Sequence, residues 1–264
     1  MTIAVRNAAG KIRAEASGVD SVELFFSENY AEGDCIEVTS SRYPLPLDIR
    51  FDETLPPAAV WLAGSRLEFP VPLGEQKCAY PPESFGEGIK RLSASVAGER
   101  SWNSYRNLSE NSLDRRGRTT YYPHCTATVE TRDESVFAAR NTIDGVIEPS
   151  CHGNWPYQSW GDNEDPNASI MIEFGRSVSV DKVIINLRAD FPHDNYWESA
   201  RLEFSEGGGI DITLKKTGDA QKFVFPERKT SFVRLTKLVR STENPSPFPA
   251  LTQWAVFGTN KGNG

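Results

Sequence analysis

The feature that most constrains this chain is the recurrence of short segments rich in β-branched and aromatic residues, broken at close intervals by Gly, Pro, Asn or Asp. In the first third they read VELFFS (22–27), CIEVTS (35–40), LDIRF (47–51) and AVWLA (59–63). In the second half they read IMIEFG (170–175), KVIINLRA (182–189), ARLEFS (200–205), IDITLKK (210–216), KFVFP (222–226), FVRLTKL (232–238) and WAVFG (254–258). Many alternate in polarity, the signature of strands with one face in a core, and their spacing fits antiparallel sandwiches rather than βαβ units. Only ESVFAARNTID (134–144) has helical character, with Val136, Ala139, Arg140 and Ile143 three or four residues apart, enough for one or two turns.

A length of 264 residues favours about two domains, each able to bury its own core. The stretch RNLSENSLDRRGRTT (106–120) is polar, charged and poor in β-formers. It divides the chain into a first domain, 1–105, of unassigned role, a polar linker, 106–120, and a second domain, 121–264. The expected fold class is all-β, two β-sandwich domains, with no internal repeat of fixed period.

Charge narrows the partners. A net charge of -7 opposes a nucleic-acid partner, because neutralising phosphates needs a concentrated positive field, and it disfavours an anionic membrane surface for the same reason. The longest apolar runs, such as VIINL (183–187), fall far short of the roughly 20 residues that span a bilayer. The first 18 residues carry no sustained apolar stretch before Lys11, so no secretory signal is read. The expectation is a cytoplasmic protein or a chain from which a leader has been removed. Four cysteines, Cys35, Cys78, Cys125 and Cys151, are too few and scattered for a disulfide scaffold, and none forms a CxxC pair. Reduced thiols are expected, with a Cys35–Cys78 or a Cys125–Cys151 bridge left open.

Four motifs of the second half occur in a telling order: VFAARNTIDG (136–145), WPYQSWGDN (155–163), ASIMIEFGRSVSVDKVIIN (168–186) and LTQWAVFG (251–258). Together they resemble the discoidin-like, galactose-binding-like β-sandwiches of coagulation-factor C-type domains and many carbohydrate-binding modules, over about residues 121–260. The resemblance implies an eight-strand jelly roll whose loops at one end bind sugars or other surface ligands, with Trp160 packed beneath the sandwich. It also implies a structural calcium held by the turn Asp144-Gly145 and the last strand. There Gln253 stands where the family has a glutamate; an amide oxygen can ligate calcium but brings no charge, so affinity should fall. No other cofactor is expected.

Residues RADFPHDNYW (188–197) concentrate an arginine, two carboxylates, a histidine and three aromatics. CHGNWPY (151–157) is a second histidine- and aromatic-bearing segment. Sugar recognition needs flat apolar surfaces for C–H faces and planar polar groups for hydroxyls. Trp155, Tyr157, Tyr196 and Trp197 are candidates for the first, and His152, Arg188, Asp190, His193 and Asp194 for the second. The two segments are expected to meet at one end of the second sandwich. His124, His152 and His193 lack the short-range pairing of a zinc motif.

The expected function is non-catalytic saccharide binding. Two other classes stay open. A polysaccharide lyase or glycoside hydrolase could use His193, Asp194 and Arg188, or Asp190 and Asp194 as paired carboxylates, although no nucleophile elbow, HExxH, P-loop or dinucleotide fingerprint is present. A protein-interaction adaptor would need only exposed edges or apolar loops.

Overall fold

The computed structural model describes residues 1–190, 193 and 195–260. The regular secondary structure is almost wholly antiparallel strand; the described residues add one four-residue α-helix, α1 (Glu99–Trp102), and short 3-10 turns. The first unit contains β1 (Thr2–Arg6), β2 (Ile12–Ser17), β3 (Ser21–Phe26), β4 (Cys35–Thr39), β5 (Leu45–Arg50), β6 (Ala58–Leu62), β7 (Arg66–Pro70) and β8 (Lys90–Val96). Two sheets face each other, one ordered β2-β1-β4-β7 and the other containing β6-β5-β8-β3. Strict alternation explains the faces: in β3, Val22, Leu24 and Phe26 point inward while Ser21, Glu23 and Phe25 point out. The inner face joins Ile3, Ile36 and Phe69 of one sheet to Leu47, Ile49 and Leu92 of the other in a single core.

The remaining strands are β9 (Arg106–Asn107), β10 (Tyr121–Tyr122), β11 (His124–Ala127), β12 (Trp160–Gly161), β13 (Ile170–Leu187), β14 (Trp197–Phe204), β15 (Gly209–Thr213), β16 (Gln221–Arg240) and β17 (Ala250–Thr259). Their hydrogen-bonded order is β12-β17-β13-β16-β14-β15, with β11 added on β13 and β9 on β17. IMIEFG and KVIINLRA, separate strands by sequence, are the two ends of the bent β13, whose register against β16 shifts between Glu173 and Val178 and again between Val180 and Lys182. Such irregularities let a strand turn from one layer of a sandwich to the other. KFVFP and FVRLTKL are likewise the two ends of β16. A second, separate core forms around Trp160, Phe174, Ile185, Trp197 and Trp254. The helical character expected over 134–144 is realised as 3-10 turns at Ser135–Phe137 and Ala139–Ile143.

Residues 106–120 differ from the polar linker expected. Arg106 and Asn107 pair with β17 of the second unit, whereas Tyr121 and Tyr122 pair with β6 of the first. Between them Leu108, Ser109, Asn111, Leu113 and Asp114 are all completely buried. The polarity that made the segment look solvated is spent on internal hydrogen bonds: Asn111 Nδ2 donates to the Pro123 carbonyl at 2.8 Å, and Asp114 accepts from the Cys125 N–H at 2.8 Å and pairs with His124 Nδ1 at 2.7 Å. The seam is closed by Trp102 stacked on Trp61 at 6.2 Å, with the Arg176 guanidinium of β13 4.5 Å from the Trp102 ring. Gly175 sits beside this seam at φ +65°, and the Tyr122 ring fills the space a Cβ would need. All four thiols are free, and no helix among the described residues is long and apolar enough to cross a membrane.

Candidate functional site

The end of β13 organises the site. Past Leu187 the ladder continues for one more bond, Arg188 N–H to the Ala250 carbonyl at 3.0 Å, and then Ala189 N–H reaches the Pro149 carbonyl at 2.9 Å. That second bond draws the 148–152 loop alongside the strand end. His152 consequently faces Asp190, with Nδ1 2.5 Å from Oδ2. The other Asp190 oxygen is ion-paired with Arg188 Nε, and both Arg188 and Asp190 are buried. Arg188 also donates through Nη2 to the Phe248 carbonyl at 2.9 Å.

Around this chain of groups lies a cleft of about 120 Å³ between the 3-10 turns and the loop entering β17. The His152 and His193 rings meet edge-on at 5.0 Å, and His193 meets Phe248 at 6.4 Å, so three rings form a row along one wall. The opposite wall holds Phe137, with the Arg132 guanidinium 5.3 Å above its ring, and Asp162 and Asn163. Arg132 is held by a two-toothed pair to Glu134, at 2.7 and 3.0 Å. Two turns that border the cleft place non-glycine residues in left-handed backbone, Arg132 and Asp133 at φ 51° and 57°, Asn163 and Glu164 at 47° and 62°. Such conformations gather where a loop is shaped for a ligand.

Asn195, not singled out by sequence, fixes the third edge. Its buried amide donates to the carbonyls of Ser241, Asn244 and Ser246, at 3.3, 3.2 and 2.5 Å, and so folds the segment that presents Phe248. Asp162 links the cleft to the core by accepting the Trp197 indole N–H at 3.0 Å. Burial pushes the Asp162 carboxyl above its usual range, and the Trp197 hydrogen bond opposes that rise.

Of the residues expected at one pocket, His152, Arg188 and His193 line the cleft and Asp190 sits directly behind it. The tryptophans are elsewhere. Trp197 is 0% exposed and stacks on Trp160 at 5.9 Å, because the register shifts of β14 between Trp197 and Arg201 carry it to the same core face as Ala200, Leu202 and Phe204. Trp155 turns toward the first unit: its N–H bonds the Cys78 carbonyl at 2.8 Å, and its side chain lines a junction groove with Tyr80 and Pro82. Tyr157 is half-buried outside the cleft lining, and Tyr196 packs against the second core. Asp194 lies outside the described residues. The aromatic walls are instead Phe137 and Phe248. The second had a signal in NPSPFPA (244–250), where a phenylalanine between prolines cannot enter a ladder on either side.

Asp144 and Gln253 do come together, in a buried knot apart from the cleft. Gln253 Nε2 donates to Asp144 Oδ1 at 2.8 Å and to the Asn141 carbonyl at 2.7 Å. Asp144 also accepts from Gln158 Nε2 at 2.8 Å and the Val146 N–H at 2.9 Å, and burial pushes its carboxyl up to about 6. Calcium asks for six to eight oxygens at about 2.3–2.6 Å. Here three nitrogen donors, Gln158 Nε2, Gln253 Nε2 and the Val146 N–H, face the carboxylate. His124 is also apart from the cleft, and among the described residues no group of three His, Cys, Asp or Glu side chains is placed to hold a metal.

No known family profile matches the sequence, and no curated protein matches it. Some solved structures are similar to part of the chain. One is a chitosan-binding module of a chitosanase/glucanase from Paenibacillus sp. IK-5, at 21% identity, covering 59% of this chain and 100% of that one with a TM-score of 0.41. A second is the family 32 carbohydrate-binding module of NanJ from Clostridium perfringens, determined with galactose, at 16% identity, 50% and 91% coverage and 0.38. A third belongs to the β-galactosidase BgaA of Streptococcus pneumoniae, at 18% identity, 59% and 100% coverage and 0.45.

Proposed function

We propose that this chain binds a saccharide, and that the cleft bounded by His152, His193, Phe248 and Phe137 receives a terminal sugar ring. The observation that carries this reading is the conjunction of a ring-lined wall with polar groups held rigidly from behind. Phe248 is 40% exposed and presents a flat apolar face suited to sugar C–H groups. With His152 Nδ1 engaged by the buried Asp190, Nε2 remains to meet a hydroxyl. The volume, about 120 Å³, is below the roughly 300–1,000 Å³ of clefts that enclose drug-sized ligands. One ring fits, and the rest of a glycan extends into solvent.

A glycan array on the intact chain, followed by calorimetry with the best ligand and with galactose and chitotriose as fixed probes, tests the proposal. Phe248→Ala is expected to weaken binding by about 1–3 kcal/mol if the ring stacks on sugar, with little effect on the melting temperature. His152→Ala is expected to weaken it as well. An array without a single bound glycan refutes the reading, as do both variants binding like the wild type.

One observation favours a second reading. A histidine whose Nδ1 is held by a buried carboxylate while its ring reaches a cleft is also the arrangement of a general base. Incubation with neutral and uronate-containing polysaccharides, read by new reducing ends and by absorbance of unsaturated products, separates the two. Turnover abolished by His152→Ala with binding retained assigns catalysis to the same cleft.

A further inference from the structure

We infer that the side-chain amide of Gln253 takes the place of a divalent cation, so that the second sandwich locks its Asp144 turn to its last strand without metal. The argument starts from the atoms that converge there. The Asn141 carbonyl, the Asp144 carboxylate and the residue at 253 on β17 all point at one buried spot. Two oxygens facing each other in a buried place repel unless something positive lies between them. Gln253 Nε2 lies between them, with one hydrogen toward each, at 2.7 and 2.8 Å.

The partners fix which way the amide points. With nitrogen inward, Nε2 meets two acceptors and Oε1 receives the Gly145 N–H at 3.3 Å. Turned over, Oε1 would face two oxygens and Nε2 would face an N–H, losing every bond. The second carboxylate oxygen is satisfied independently by Gln158 Nε2. Arg140, itself buried, brings a guanidinium nitrogen to 4.0 Å from that oxygen and donates to the side chain of Asn141 at 3.1 Å, so the positive charge a cation would supply is covalently present. Arg140 is further anchored on the carbonyls of Asp114 and Ser112, at 2.9 and 3.0 Å, which ties the knot to the segment between the two units.

Position 253 therefore decides between two chemistries. Glutamate there would set an acceptor against acceptors and demand a cation; glutamine makes the cation superfluous. The test is thermal unfolding of the full chain, as purified and after exhaustive chelation, with and without millimolar calcium chloride, for the wild type, Q253E and Q253L. Wild type is expected to melt at one temperature in all conditions, with no heat of binding when calcium is titrated in. Q253E is expected to melt several degrees lower than wild type in chelator and to recover when calcium is added. Q253L is expected to melt lower than wild type in every condition, because it leaves both oxygens without their donor. A wild-type melting temperature that falls with chelation and returns with calcium, in a manner removed by Asp144→Asn, overturns the inference. A folded Q253E indifferent to calcium overturns it too. Should Q253E fail to fold, the wild-type chelation and calorimetry results decide it alone.

Discussion

Trp197 is the residue on which fold and cleft depend together, and its substitution can be worked through. The indole is fully buried, stacks on Trp160 at 5.9 Å, and donates its N–H to Asp162 at 3.0 Å. Trp197→Ala removes that volume from a close-packed core, a loss of about 3–5 kcal/mol. It also leaves a buried carboxylate oxygen without its donor, for about 1–3 kcal/mol more. Against a total stability of roughly 5–15 kcal/mol, that variant is expected to be marginal. Trp197→Phe is therefore the informative change. It keeps most of the apolar volume and deletes the N–H, so a loss of about 1–3 kcal/mol in urea unfolding is expected. Combining it with Asp162→Ala, which removes the acceptor, in a double-mutant cycle isolates the bond, because the two residues are in direct contact and their effects should not add. The pH dependence has a definite sign. Asp162 titrates above its ordinary 3.8, so the folded state holds a proton longer than the unfolded state, and this group subtracts stability as pH rises through the window between the two values. Without the indole N–H the folded value rises further and the window widens upward. Because Asp162 is a wall of the cleft, the same variant should also lower ligand affinity. Unfolding of Trp197→Phe within about 0.5 kcal/mol of wild type, with an unchanged pH profile, refutes the assignment of the hydrogen bond.

Other expectations follow from the same geometry. Trp155→Ala should leave the affinity of the cleft unchanged in calorimetry, since its side chain lies at the junction groove, and should lower the melting temperature instead. Burial alone would lower the His124 value from 6.5, but the Asp114 carboxylate 2.7 Å away, together with Glu173 and the Gly117 backbone, more than offsets it and the net shift is upward. That pair therefore contributes stability fully present below pH 6.5 and lost as pH rises through the folded value. The melting temperature should fall on the alkaline side of 6.5 in the wild type, and that component should vanish in His124→Gln. Gly175→Ala forces a side chain into left-handed backbone at φ +65° and into the Tyr122 ring, and should cost at least about 1–2 kcal/mol in urea unfolding.

What could be read in advance divides along physical lines. Strands announce themselves when burial and propensity agree, as in VELFFS, where every second residue enters the core. IRAEAS (12–17) went unread because its Ala and Glu residues have little β-preference, and only pairing with β1 makes it a strand. Sequence alone makes Trp197 a candidate sugar platform, because composition marks an aromatic as valuable without saying which face of the sheet it joins. A one-residue change of register decides that, and register is a property of the partner strand. The histidines were recoverable for the opposite reason. His152 and His193 follow glycine- and proline-bearing loop signals, and a polar ring in a loop has few destinations other than the surface where loops gather. The buried centre of the site was only half legible. Arg188 and Asp190 look in sequence like partners for sugar hydroxyls, yet the fold covers both, with Pro149 and Ala250 bonding the intervening backbone and His152 capping the carboxylate. Burying a charged pair costs solvation that only a full set of partners offsets, and Pro149, His152 and Ala250 all come from segments far away in the chain. Such a cluster stiffens the wall on which His152 and Phe248 stand, since Arg188 also bonds the Phe248 carbonyl. Removing Asp190 should therefore loosen the whole cleft rather than delete one contact. Asp190→Asn, which keeps the shape and removes the charge, should weaken ligand binding even though the carboxylate itself is buried behind the ring it holds.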